Sequence, residues 1–277
     1  MPLEKRRLKV LITVKTYPIP SKAYDELVCT AGVTEDGEFI RLYPINFREL
    51  PHGQKYEKYQ WIEVEAEKHA RDPRKESWRP EPKTMTLGRH IPTKTGDWSE
   101  RARYVMPQKA RSMEELADRQ EKDRTSLGIL KPKAIKDLVI SSDSAAWPAK
   151  FLDAMKQMRL FDDRTKTKEP PRKVPFKFHY VFECNDDRCK GHRLMIEDWE
   201  VGALYWNLID QGAKPEQAAA HVKEKFLTQL CGPGKDTHFF VGTIAQHPKS
   251  WVVIGVFWPK KQPKRLFDDL IGTPPTN

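Results

Sequence analysis

Hydrophobic and polar positions alternate with a period of two through the opening of the chain, the pattern of half-buried strands. From Arg7 to Val14, the residues Leu8, Val10, Ile12 and Val14 alternate with Lys9, Leu11 and Thr13. Glu26 to Val33 follows, with Leu27, Cys29 and Ala31 on one face and Glu26, Val28 and Thr30 on the other. Glu35-Asp36-Gly37 is a hairpin signal, Phe39 to Tyr43 is the returning strand, and Gln60 to Ala66 alternates again. Two segments break the pattern. Lys15–Ser21 carries Pro18 and Pro20, and Pro44–Arg48 opens on a proline, so neither can complete a ladder of N–H donors. Short strands with little helix between them predict a curled sheet or small barrel.

The period lengthens after Gly96. Asp97 or Ser99 can cap a helix running through Arg103, and Ser112-Met113-Glu114-Glu115 is a second helix start of the capping type, highly charged as far as Arg124. Ser126–Pro132 and Ile135–Ile140 have strand character and are expected to close the first domain. Trp147-Pro148 opens a helix over Ala149–Leu160, and Arg164–Lys173 is a basic, proline-bearing connector. Beyond it, Phe178–Glu183 and the run after His192 read as a hairpin, Trp199–Leu208 and Pro215–Leu230 as helices, and Thr237–Ile244 with Trp251–Trp258 as a final hairpin. The expected architecture is α+β. A β-rich base-recognition domain spans 1–145, helix and linker span 146–173, and a ββααββ domain with one antiparallel sheet spans 174–277.

Charge adds a partner class to this picture. The 277 residues carry a formal charge of +10, which points to a polyanion, since neutralising phosphates releases condensed counterions. No run reaches the ~18 apolar residues of a membrane span. The Lys- and Arg-rich start leads into a strand and does not resemble a secretory signal, so a cytoplasmic setting is expected.

The clearest chemical motif is Cys184-x4-Cys189-x2-His192 on the turn of the 178–196 hairpin. Thiolates and an imidazole on a tight turn can converge on one tetrahedral ion, zinc before others. Cys231 and His238, flanking the turn into the last hairpin, are the candidates for the missing ligand. Buried thiols with no metal are the plain alternative, and given a metal, structural use is favoured over catalysis.

A second set lies in the first domain. Tyr17, Tyr43 and Phe47 offer stacking surfaces, and Lys15, Arg41 and Arg48 offer phosphate donors; an extruded nucleotide needs both. Asp72 and Glu76 stand among the cations of the His69–Pro80 loop, with Arg74 between them. An aromatic cap on the core, and a solvated charged loop, would leave the same residues without chemistry. Gln157, Leu160 and Phe161 have the Q-x-x-L-F spacing of sliding-clamp ligands, and Arg-Leu-Phe-Asp-Asp recurs at Arg265–Asp269; a helix end packed on its own domain has the same pattern.

The runs Lys15-Thr16-Tyr17-Pro18, Glu26–Gly32, Ile40–Pro44, Phe182-Glu183-Cys184, Cys189–His192 and Asp198-Trp199-Glu200 together resemble an uncharacterised bacterial family associated with phage-defence neighbourhoods. The resemblance implies an antiviral DNA glycosylase, a hydrolase that flips a modified base, of the type that excises glucosylated hydroxymethylcytosine. The signatures of uracil glycosylases and of zinc deaminases are absent. On this reading Glu26, Asp72 and Glu76 are the candidate carboxylates, Tyr17, Tyr43 and Phe47 the base pocket, and Arg41, Arg48 and Arg74 the phosphate or sugar contacts. A Schiff base at Lys15 is the variant mechanism. A non-catalytic reader of modified bases or RNA, and a metal-dependent nuclease, are the competing functions.

Overall fold

The computed structural model describes residues 4–21, 25–69, 72–93, 96–150, 152–153 and 169–261. The clamp-like segment Gln157–Phe161 and its repeat at Arg265–Asp269 lie outside these, as does most of the Ala149–Leu160 helix.

The first strands are β1 (Lys5–Lys15), β2 (Ile19–Ser21), β3 (Asp25–Val33), β4 (Phe39–Ile45), β5 (Gln60–Lys68), β6 (Ser77–Pro80) and β7 (Thr86–His90). They form one sheet in the order β1-β3-β4-β6-β5-β7, and β5 also pairs back onto β1. The circuit β1-β3-β4-β6-β5 is therefore a closed, five-stranded barrel, with β4–β6 its parallel seam. Leu8, Val10, Ile12, Val28, Ile40, Leu42, Ile62 and Val64 fill its interior. Closure removes the exposed edges that an open sheet of this length would present.

Two details depart from the alternation. The register of β1 against β3 shifts between Ile12 and Val14, so Val14 leaves the face of Leu8, Val10 and Ile12 and joins Leu11 in a different cluster. A bulge moves every later side chain to the other face. The proline-bearing segment does not leave the sheet either: Ile19–Ser21 pairs with β3, Pro20 opposite Glu26. β2 has a single partner, and an edge position tolerates proline.

Helix α1 (Ser99–Val105) follows, with Asp97 accepting from the Ser99 N–H at 2.8 Å. Next come β8 (Lys109–Ala110), α2 (Met113–Asp123), β9 (Leu127–Leu130) and β10 (Ala134–Ser142). Ser112 caps α2 by accepting from the Glu115 N–H. The second half contains β11 (Phe176–Glu183), β12 (His192–Met195), α3 (Trp199–Asp210), α4 (Pro215–Lys223), β13 (His238–Ile244) and β14 (His247–Phe257).

The order ββααββ is present, but its strands belong to two sheets. One is β10-β11-β12 and the other β14-β13-β9-β8. The strands expected to close the first domain thus pair with the second half, β9 against β13 and β10 against β11. An apolar run announces a strand without naming its partner.

The two halves share a core. Leu11, Val14, Ala31 and Val33 from the outer face of the barrel pack with Leu127, Ile129, Phe240, Val252, Ile254 and Phe257. The Val10–Val14 part of β1 is buried on both faces for this reason.

Candidate functional site at the junction of the barrel and the second half

The knuckle assembles with an unexpected fourth member. Cys184, Cys189 and His192 are joined by Glu114 from the first turn of α2, and the four ligand atoms lie within 4.8 Å of one another. Glu114 Oε1 is 3.0 Å from His192 Nε2, and Cys189 Sγ is 3.4 Å from the same nitrogen. Ligands about 2.0–2.3 Å from a shared tetrahedral ion stand roughly 3.3–3.8 Å apart, so the spacing can hold a metal. Glu114 Oε2 is buried and has no hydrogen-bond partner, which suits a metal-facing carboxylate oxygen. The Met113 N–H points at Cys184 Sγ (3.4 Å) and the Cys184 N–H at Cys189 Sγ (3.1 Å). Backbone donors at a helix start favour thiolate. Burial works against it and pushes the Cys184 thiol up to about 12, a cost that a divalent cation would offset.

Cys231 and His238 are not in this cluster. Cys231 Sγ lies 3.1 Å from the Phe226 carbonyl, and His238 Nδ1 lies 2.9 Å from the Asp236 carbonyl. Glu114 gives no sign of this place in the sequence, because a glutamate in a charged helix is indistinguishable from a solvated one until α2 is docked. Ser112 helps to dock it, donating to Asp186 of the knuckle turn at 2.8 Å.

The charged loop of the barrel is internal wiring. Asp72 accepts from Arg74 Nε (2.8 Å), Arg74 Nη2 (2.6 Å) and the Ser77 hydroxyl (2.8 Å), while Arg74 Nη1 donates to the Thr243 carbonyl. Burial alone would raise the Asp72 carboxyl, but these donors bring it down to about 2. Glu76 accepts from the Ser126 N–H and hydroxyl and from the Leu127 N–H. Arg41 is buried and donates to the Ser126 carbonyl and to Cys29 Sγ. Asp72, Glu76, Arg41 and Arg74 therefore tie β4 and the loop before β6 to β9, its preceding Ser126, and β13. Tyr43 belongs with them, its ring 6.0 Å from His69 and 5.9 Å from the Arg74 guanidinium.

Glu26 is also buried, with Arg48 Nη1 2.9 Å from its carboxylate. It lines a groove of about 740 Å³ with Pro44, Asn46, Arg79 and Pro80.

Lys15, Tyr17 and Phe47 do converge, at one end of the barrel, and residues from the second half meet them there. The Lys15 amine stands 3.9 Å from the centre of the Phe47 ring and 4.5 Å from that of Trp199. Phe47 and Trp199 meet edge to face at 5.3 Å. Thr16 bridges Asp198, and the Tyr17 N–H donates to the Glu197 carbonyl at 2.9 Å. The Tyr17 ring lies on Gly202, where a Cβ would come within 2.2 Å of it. Gly202 is thus a close-approach glycine, and its absent side chain lets α3 seat against the barrel.

Asp198 caps α3, accepting from the Glu200 N–H, and is fully buried by Lys58. Lys58 Nζ lies 2.7 and 2.9 Å from the two Asp198 oxygens and 3.2 Å from Glu200. Burial would lower the Lys58 amine, but the two carboxylates raise it, so it stays charged. Lys15 behaves oppositely. Burial, with repulsion from Lys58, lowers its amine to about 8. Among the described residues it has no ion pair within 4.0 Å. Asp198-Trp199-Glu200 is one run in the sequence, but Lys58 is 140 positions away from Asp198 and only docking of α3 brings it there.

The family model of a domain of unknown function (DUF8757) matches residues 108–271. The chain belongs to the DUF8757 family. A second domain of unknown function (DUF8758) matches residues 6–107. The two matches meet just before β8. The DUF8757 part holds the entire metal-compatible cluster together with Asp198, Trp199 and Glu200, whereas Lys15, Phe47 and Lys58 come from the DUF8758 part. The lysine nook is built from both. No curated protein matches the chain.

Proposed function

We propose that the protein binds DNA, extrudes a modified nucleobase and cleaves its N-glycosidic bond, with the junction nook as the reacting centre. The observation that carries this reading is the meeting, across two domains, of an amine with no ion pair among the described residues, two aromatic rings and two carboxylates. Aromatic surfaces suit a flipped base, a carboxylate suits an oxocarbenium-like sugar, and the charge of +10 suits the phosphates. Arg48 lies at the exposed rim beside Phe47 and is the best placed of the expected phosphate contacts. Phage DNA carrying glucosylated hydroxymethylcytosine is the substrate to try first.

Zinc is the ion proposed for the knuckle. Two thiolates, an imidazole and a carboxylate suit zinc, and with four protein ligands the site is closed and structural. Thiolate ligands are unsuited to the magnesium or manganese of a nuclease, so this cluster gives that reading no support.

The test is to incubate the protein with modified and unmodified DNA and to assay released base, abasic sites, nicks and retention separately. Released base from modified DNA alone is the expected result. Salt-sensitive retention with no product would replace the enzyme by a reader of modified bases. Strand cleavage that is lost on chelation and restored by magnesium would select the nuclease.

A further inference from the structure

Two lysines share the nook and have been given opposite environments. Lys58 is locked by Asp198 and Glu200. Lys15 is half-buried between two ring faces, with no carboxylate within ion-pair distance among the described residues. An amine held this way is oriented by its neighbours and is not neutralised by them. A cation packed on Trp and Phe faces is stabilised by only about 0.5–2 kcal/mol, less than a buried ion pair needs for its own desolvation. The charge on Lys58 supplies what such an amine lacks to become a nucleophile, because a neighbouring cation disfavours a second one.

Resting on the reading of this nook as the reacting centre, we infer that Lys15 is a covalent nucleophile toward the aldehyde of an abasic sugar, and that the protein cleaves the strand there by β-elimination. The ring-opened sugar presents an aldehyde at C1′. The Lys15 lone pair attacks that carbon, the carbonyl oxygen takes up two protons and leaves as water, and a protonated imine remains. The imine acidifies the C2′ hydrogen. A carboxylate removes that proton, the electron pair forms the C2′–C3′ double bond, and the C3′–O bond breaks with the 3′ phosphate as leaving group. Water then hydrolyses the imine and restores the amine, so no oxidant or metal is required. Glu200 is the carboxylate placed for the proton: its side chain is 55% exposed, whereas Asp198 is sealed beneath Lys58. The lowered Lys15 amine, near 8, supports the assignment by making a neutral fraction available close to neutral pH.

The experiment uses the full chain and a DNA duplex with one natural abasic site, in the presence of borohydride, which reduces the imine to a stable secondary amine. A covalent protein–DNA adduct is expected, its yield rising with pH through about 8, with the modified peptide containing Lys15. Lys15→Met should lower the yield by roughly a hundredfold or more. No adduct from the wild-type chain, or an adduct mapped to a different lysine or to the N-terminus, overturns the inference. Peptide mapping on the wild-type chain decides the matter even if Lys15→Met does not fold. Adduct formation without base release from modified DNA would leave this inference standing and remove the glycosidic reading. Base release with no adduct would do the reverse.

Discussion

The Asp72–Arg74–Glu76 network and the Lys15 nook are made of similar residues, and both lie where the barrel meets the second half. They differ in how completely the charges are answered. Asp72 takes three side-chain donors, Glu76 takes three donors from Ser126 and Leu127, and the guanidinium of Arg74 reaches as far as the Thr243 carbonyl. Such a network holds elements together and has little capacity left for a ligand. In the nook, Asp198 and Lys58 are answered in the same way, but Lys15 is only flanked by rings and Glu200 remains exposed. Charged residues near each other are a poor guide to chemistry; an incompletely satisfied one beside an exposed carboxylate is a better guide.

Breaking the satisfied region should have the largest effect. Asp72→Ala leaves Arg74 buried without its carboxylate, and a cost of about 3–5 kcal/mol is expected, read as a fall in the urea midpoint at unchanged slope. A cost near zero would mean that this network, too, has capacity to spare. Cys184→Ser comes next: bound zinc should drop to background by elemental analysis, with lower thermal stability, while any correctly folded remainder keeps the imine-trapping activity. A stable, metal-free but inactive variant would move the chemistry to the knuckle.

Gly202→Ala tests the seat of α3 on Tyr17. Over-packing at this contact should cost about 1–3 kcal/mol and reduce adduct yield without touching Lys15; unaltered yield would show that the nook tolerates movement of α3.

The remaining tests are in pH dependence; in both regions stability should rise with pH, but over different windows. Asp72 is depressed to about 2 in the folded chain, so its stabilisation is present above the ordinary 3.8 and is lost as pH falls through about 2; Asp72→Asn should flatten that acid limb. Lys15 is depressed from 10.5 to about 8. Between those values the unfolded chain binds more protons, so stability should rise with pH over this window, and Lys15→Met should remove the rise. Equilibrium unfolding followed across both pH ranges checks the two signs.

The knuckle shows how far a local pattern reaches. Cys184, Cys189 and His192 could be grouped from spacing alone because one turn carries them all. Glu114 could not, since α2 is brought to them through Ser112 and Asp186, two residues with no metal signature. Tyr17 and Phe47 stand out in the sequence as aromatics near prolines, but their packing on Trp199 depends on where α3 docks. The strand runs at 126–132 and 135–140 were recognisable as strands and misassigned in partner, because apolar pattern records burial and not the identity of the neighbour.

What the sequence determined alone was local: the alternation that makes the barrel strands, the Ser112 and Asp97 turns that start helices, the knuckle turn, and the net basic charge. Periods, caps and spacings act over a few residues and need no knowledge of the rest of the chain. Tertiary structure decided what those pieces are for. It closed the barrel through β1 and β5, turned Asp72 and Glu76 into fasteners, supplied Glu114 to the cysteines, and set Asp198, Trp199 and Glu200 around Lys15. Each of those outcomes depends on groups far apart in the chain, and burial and charge are properties of the neighbours that folding provides.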